Sequence, residues 1–323
     1  MTVIVTGASG LVGRHVVRAL QDRGTPVLSV GRAPSSAQPD GSAAPRVHHV
    51  DWDIREDAPI DVTALAPRVT AVVHCARLSA DWGRPDDFHA VNTAGTRRVL
   101  DAFPRARVIH LSSAAVYGLH EAHDHLYEEA GPLEEPRYRD EFARTAALAE
   151  GVIARIRPQT LVLRPARIYA PGEDDGVYDS LLRFARRGTF ELPGGGKVET
   201  MLAHIDTVVQ AVLAGLDRPG VRGPINVADP RPYVLRQALT TYLARTDHPY
   251  QPLDERAADL VTARAWLAQR RVKTPTPSNR PTHTVTEISA YTKKRTYSLD
   301  RLTRLLGVEP VQHLAPSPGD ADD

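Results

Sequence analysis

Val3-Ile4-Val5-Thr6-Gly7-Ala8-Ser9-Gly10-Leu11-Val12-Gly13 decides how the rest of the chain is read. A β-branched run enters three spaced glycines and then a helical pattern, with Leu11, Val12, Val16, Val17 and Leu20 on one broad face and Arg14, Arg18 and Asp22 largely away from it. Gly24 ends the pattern. Each glycine has a task in such a strand-to-helix turn: Gly7 turns tightly, Gly10 lets a pyrophosphate approach the backbone, and Gly13 lets the helix close on the strand. The helix N-terminus adds free N–H groups and the positive end of its dipole. These features predict a dinucleotide site in which Gly7, Ser9, Gly10, Leu11, Val12 and Gly13 line the phosphates.

Outward from this turn, short apolar runs alternate with amphipathic stretches: Val27 to Val30, Val47 to Val50, Ala71 to His74, Val108 to Leu111 and Thr160 to Leu163. That alternation predicts an α/β fold, a Rossmann-type doubly wound parallel sheet. After about residue 170 Pro and Gly punctuate more often, which points to a smaller C-terminal lobe. The expected division is a dinucleotide-binding domain over 1–170 with return segments near 201–230, a substrate-binding lobe over 171–200 and 231–312, and a disordered tail over 313–323. The Pro-, Thr- and Ser-rich stretch from Arg271 to Lys294 reads as a long loop.

Across 323 residues, 40 Lys plus Arg face 39 Asp plus Glu, so no global field favours nucleic acid or an anionic membrane, and a small molecule is the expected partner. The single cysteine, Cys75, excludes an internal disulfide framework and a cysteine-built zinc site. No apolar stretch approaches the length that spans a bilayer, and a cytoplasmic location is expected. His120, His123 and His125, mixed with Glu121 and Asp124, read as a solvated loop, and no metal is expected.

Spaced GxxGxxG, the first turn resembles the fingerprint of the short-chain dehydrogenase/reductase superfamily, and further segments resemble its extended branch of nucleotide-sugar epimerases and dehydratases. Val73-His74-Cys75-Ala76 is similar to the strand on the adenosine side, Val91-Asn92-Thr93 to the helix with a structural Asn, and Leu111-Ser112-Ser113 through Gly118 to the strand bearing the catalytic Ser. Leu163-Arg164-Pro165 resembles the strand after the catalytic helix, and Ala203-His204-Ile205-Asp206 the return strand. The resemblance implies cofactor contacts from Cys75, Ala76, Arg77, Asn92, Arg164 and Pro165. It also implies an adenine-contacting pair Asp53 and Ile54, with Asp51 as the alternative to Asp53, and a homodimer through paired helices. At the end of the second strand, Gly31-Arg32 leaves room and a planar donor for a 2′-phosphate, so NADP(H) is favoured and NAD(H) is the alternative.

The same resemblance puts a YxxxK pair on one helix, where i and i+4 share a face. The downstream Glu150 sets the register, and there the Tyr has become Phe142 and the Lys Ala146. Phe cannot exchange a proton, and Ala can neither hold a ribose nor depress a neighbour's pKa. Tyr138 is followed four residues later by Phe142, so a shift of register does not restore the pair. Ser113, Tyr117 and Tyr138 are the expected proton handlers, with Arg167, Tyr169 and His204 as further candidates to face a substrate. Two functions follow. One is an atypical enzyme performing a reduction, dehydration, epimerisation or cyclisation. The other is a non-catalytic dinucleotide sensor, in which the cleft beside Ser113 would be filled by side chains such as Phe142.

Overall fold

The computed structural model of the chain describes residues 2–33, 47–134, 137–171, 193–244, 258–281 and 283–314. Its strands are β1 (Val3–Thr6), β2 (Val27–Gly31), β3 (His48–Asp51), β4 (Ala71–His74), β5 (Arg107–Leu111), β6 (His123–Leu126), β7 (Leu161–Pro165), β8 (Arg167–Tyr169), β9 (Glu199–Thr200), β10 (Leu202–His204), β11 (Gly223–Val227), β12 (Tyr233–Val234) and β13 (Arg295–Tyr297). Helices are α1 (Leu11–Asp22), α2 (Ile60–Leu65), α3 (Pro85–Phe88), α4 (Thr96–Ala102), α5 (Glu141–Ile156), α6 (Ile205–Asp217), α7 (Leu235–Ala244), α8 (Ala258–Arg271), α9 (Val285–Thr292) and α10 (Asp300–Leu306).

Seven strands form one parallel sheet in the order β11-β7-β5-β4-β1-β2-β3. Both faces are covered, and the alternation of side chains along each strand shows how. Val3, Val5, Ala71, Val73, Ile109, Leu111, Leu161 and Leu163 pack in one core with Val12, Val16 and Leu20 of α1 and Val208 and Val212 of α6. Their neighbours Ile4 and Val72 pack on the opposite face with Val62, Val99 and Phe103, and Val108 and Val162 pack there with Leu100 and Ile153. From β1 the chain runs to β2 and β3 on one side, then crosses to β4 on the other. That reversal opens a crevice at the carboxyl ends of β1 and β4.

Beyond this crevice stands a second layer, a four-stranded sheet in the order β12-β9-β13-β6, with β8 and β10 paired beside it. β6 comes from the first half of the chain yet pairs with β13, so the second layer is not built from C-terminal sequence alone. Ala203–Asp206 is not a single strand: β10 stops at His204, whose side chain accepts from Asp206 N at 3.3 Å and starts α6. The seventh strand of the large sheet is β11 instead. Arg271–Lys294 is likewise not a continuous loop, because Thr284 accepts from Glu287 N at 3.0 Å and starts α9. The prolines that suggested a loop precede that cap. In the tail expected over 313–323, residues 315–323 lie outside the described residues, as do 172–192 of the expected lobe. No helix among the described residues is long and apolar enough to cross a membrane.

Candidate active site

Gly7 turns out of β1 with φ +65, and a Cβ there would lie 2.6 Å from Ala76 Cα, so the turns after β1 and β4 touch. At Gly13 a Cβ would meet Gly7 O at 2.1 Å, which is why the helix can close on the strand. Gly10 differs: a Cβ would meet nothing nearer than Gly7 O at 3.4 Å, leaving open space above its backbone. Gly10 is the N-cap of α1, has no side-chain cap, and is followed by a first turn without acidic residues. Uncapped N–H groups, a positive dipole end and an open approach fit a pyrophosphate.

These groups form one wall of a cavity of about 680 Å³ that runs from the glycine turn to the second layer. Of the residues expected from sequence, the cavity brings together Gly7, Ser9, Gly10, Leu11, Val12, Gly13, Cys75, Arg77, Ser113, Phe142, Pro165 and Arg167. Ser113 caps the turn Ala114–Tyr117 by accepting from Ala115 N at 3.1 Å. Phe142 lines the cavity without filling it. Ala146 lines a second, much smaller void with Arg77, Ser112 and Phe142. Arg77 donates to Ser112 O at 2.7 Å, and its guanidinium carbon lies 5.6 Å from the Phe142 ring centroid. A guanidinium thus enters the region where the i and i+4 positions of α5 are Phe and Ala.

Several expected site residues are placed elsewhere. Tyr117 is fully buried, donates to Asn226 Oδ1 at 2.6 Å, accepts from Arg164 at 2.9 Å, and has its hydroxyl pushed up to about 12 by burial. Tyr138 donates to Val116 O at 2.6 Å and accepts from Leu133 N at 2.8 Å, and burial raises its pKa. Both hydroxyls tie chain segments together and neither lines the cavity, which corrects their expected part as proton handlers. Arg164 is 1% exposed and clasps Glu150, with 2.6 Å at the closest approach, so it serves the core rather than a cofactor. Asn92 sits in a π-helical stretch, His89–Gly95, and exchanges hydrogen bonds with Leu78 N and O at 2.7 and 3.0 Å while donating to Thr145 Oγ1 at 2.9 Å. It fixes the loop that carries Arg77. Ala76 lines the smaller void with Asn92, and Ile54 packs under Gly95. Tyr169 donates to Asp229 at 2.6 Å, and His204 N donates to the same carboxylate at 2.9 Å, both away from the cavity. The histidine stretch is solvated only in part: Asp124 and His125 are exposed on β6, whereas His123 on the same strand is buried, with Nε2 2.7 Å from Gly118 O. Among the described residues no group of three or more His, Cys, Asp or Glu could hold a metal.

The sequence reading missed Asp81, Asp140, Arg295 and Tyr297, all on the cavity wall. Asp81 is clamped by Arg280 at 2.6 and 3.1 Å and by Thr284 at 2.8 Å; against burial, these partners hold its carboxyl below the usual range. Asp140 caps α5, accepting from Ala143 N at 2.8 Å. Arg295 is 6% exposed, donates to Leu119 O and to Ser289 O, and leaves its Nε without a hydrogen-bond partner among the described residues. The polar residue before a helix was the available signal for Asp140; Arg295 and Tyr297 carried none.

The model of the NAD dependent epimerase/dehydratase family matches residues 3–228. The chain is 30% identical to the 2-alkyl-3-oxoalkanoate reductase of Stenotrophomonas maltophilia over 65% of its own length, and the match spans 64% of that relative. It is 31% identical to the 3-diazoavenalumate denitrifying reductase of a Streptomyces species, covering 76% of this chain and 81% of the relative. Among solved structures, UDP-glucuronic acid 4-epimerase from Bacillus cereus in complex with NAD superposes with a TM-score of 0.72 and 17% identity, covering 98% of this chain and 95% of that one. Other solved structures of the same fold also hold NAD. This corrects the expectation of NADP(H). Arg32 is exposed at the end of β2; the Asp53 carboxyl, paired with Arg55 at 2.6 Å, is held below the usual range chiefly by Arg55 and in smaller part by the charge of Arg32. A carboxylate within electrostatic reach of Arg32 would oppose a second phosphate there.

Proposed function

Since the chain belongs to the NAD dependent epimerase/dehydratase family, we propose that it is an enzyme that binds NAD(H) along the glycine turn and reduces a carbonyl group of a small molecule, without the family's Tyr and Lys. The observation that carries this reading is the open cavity of about 680 Å³ joining the glycine turn, Ser113 and the second layer. A sensor has no need of such a space. Bound NAD(H) would supply hydride; the chain's own groups hold and orient. Uncapped α1 takes the pyrophosphate, Ser113 offers a hydroxyl to a substrate oxygen, and Arg77 supplies a cation near the position that Lys leaves at Ala146.

The two sequence relatives described above are reductases by name, which favours reduction over the other reactions of the family. Arg167 and Arg295 on the far wall suit a substrate rich in acceptor oxygens. In this reading β9, β12 and β13 with α7 to α9 form the substrate-binding side, residues 1–170 with the return segments near 201–230 the cofactor side, and two copies pair through helices. The nearly balanced charge and lone Cys75 favour a cytoplasmic small-molecule enzyme over a nucleic-acid partner.

Incubation with NADH and a panel of aldehydes and ketones, followed by the absorbance of reduced nicotinamide, tests the reading. Carbonyl-dependent oxidation of NADH is expected. Tight NADH binding with no oxidation across the panel would favour the sensor.

A further inference from the structure

A reductase without the family tyrosine still needs a group that delivers a proton to the substrate oxygen. Arg77, Arg167 and Arg295 on the cavity wall are cations, and burial pushes the Cys75 thiol up to about 12. Asp81 is committed to Arg280 and Thr284. Tyr297 lies on β13, stacked 5.7 Å from the Tyr117 ring, with its pKa raised by burial. Asp140 stands two residues before Phe142, at the start of the same helix. One of its oxygens accepts from Ala143 N at 2.8 Å, and the other has no hydrogen-bond partner among the described residues. The cap fixes the carboxyl at the cavity wall and leaves one oxygen available.

Resting on the NAD(H) reading of the cavity, we propose that Asp140 is the catalytic acid of this cleft, taking the part of the missing tyrosine from the N-cap of α5. In the step, the substrate C=O π bond opens, its carbon gains the hydride and its oxygen gains the Asp140 proton. The substrate is reduced by two electrons and NADH is oxidised by the same two. The carboxylate left on Asp140 takes its next proton from water. Burial pushes this carboxyl up to about 6, against the pull of the Ala143 N–H and Arg295 of β13, while Glu141 of α5 and Asp81 of the loop after β4 add to the rise. Asp140 therefore changes protonation close to neutrality. The acid form is lost as pH rises through about 6, so the reductive rate falls on that side.

Asp140→Asn tests this directly, because Asn caps a helix about as well as Asp and cannot titrate. Three measurements on the full chain are compared: NADH affinity by calorimetry, the side-chain carboxyl resonances by carbon NMR against pH, and kcat for reduction of the α-diketone benzil against pH. The wild type is expected to show a carboxyl titrating near pH 6 and a kcat that falls above it. In the variant NADH affinity stays the same, that resonance is gone, and kcat is lower by about 10²-fold or more with a flat profile. Asp140→Ser, which also caps, should match Asp140→Asn. An Asn variant with the wild-type rate and pH profile overturns the proposal, as does a wild type that binds NADH and leaves benzil unreduced. A wild type that fails to bind NADH defeats the cofactor reading itself, a distinct result.

Discussion

Phe142 and Ala146 remove a phenol and an ammonium from α5, and Arg77 brings a guanidinium from the loop after β4 into the region they vacate. Ala146 is 8% exposed, and the void beside it is small and shared with Arg77. A lysine put back at 146 would meet a like charge in a desolvated place, where such a pair is costly. Ala146→Lys should therefore destabilise the protein by about 1–3 kcal/mol, and Arg77→Ala in the same chain should recover part of that loss. Chemical denaturation of both single variants and the double variant reads the coupling, and strict additivity would contradict the placement of Arg77. The sequence showed what α5 lacks, since absence of Tyr and Lys is visible in a one-dimensional register. It did not show that Arg77 and Asp140 share the cavity wall with Phe142, because they reach it from a loop and a cap. Tyr117 and Tyr138 misled for a related reason: a hydroxyl near the right strand looks available until its partners, Asn226, Arg164, Val116 and Leu133, are in place.

The turn between β1 and α1 assigns different duties to residues that look alike in sequence. Gly13 serves folding, since its Cβ would sit 2.1 Å from Gly7 O, whereas Gly10 borders open space. Gly13→Ala should lower the melting temperature sharply or prevent folding. Gly10→Ala should melt close to the wild type yet bind NADH about tenfold more weakly or worse, a loss of roughly 1.4 kcal/mol or more. Thermal unfolding with calorimetry on the two variants checks this, and a Gly10→Ala protein with unchanged affinity would contradict the phosphate site. At this scale the sequence was most legible: apolar runs gave six strands of the large sheet, since the central strands β1, β4, β5 and β7 are buried on both faces, and only the edge strand β3 is exposed at its ends. β11 went unnoticed as a strand because Gly223 and Pro224 open it, and α9 because its cap follows a run of prolines. Local composition masked what tertiary pairing decided.

Across the whole molecule, the parallel sheet supplies a crevice where strand order reverses, and the β12-β9-β13-β6 sheet stands opposite it. The general division could be read from the change in Pro and Gly content after residue 170. The return of β6 to pair with β13 could not, since pairing between residues 123 and 295 leaves no local signature. Cofactor choice was the least legible feature: Arg32 alone invites a 2′-phosphate, and Asp53, within electrostatic reach of it, comes from a different strand end. Calorimetric titration of the wild type with NADH and, separately, NADPH tests the central claim most directly. Binding of NADH at least about tenfold tighter than NADPH, a difference of roughly 1.4 kcal/mol, is the predicted result; no binding of NADH, or a clear preference for NADPH, would contradict it.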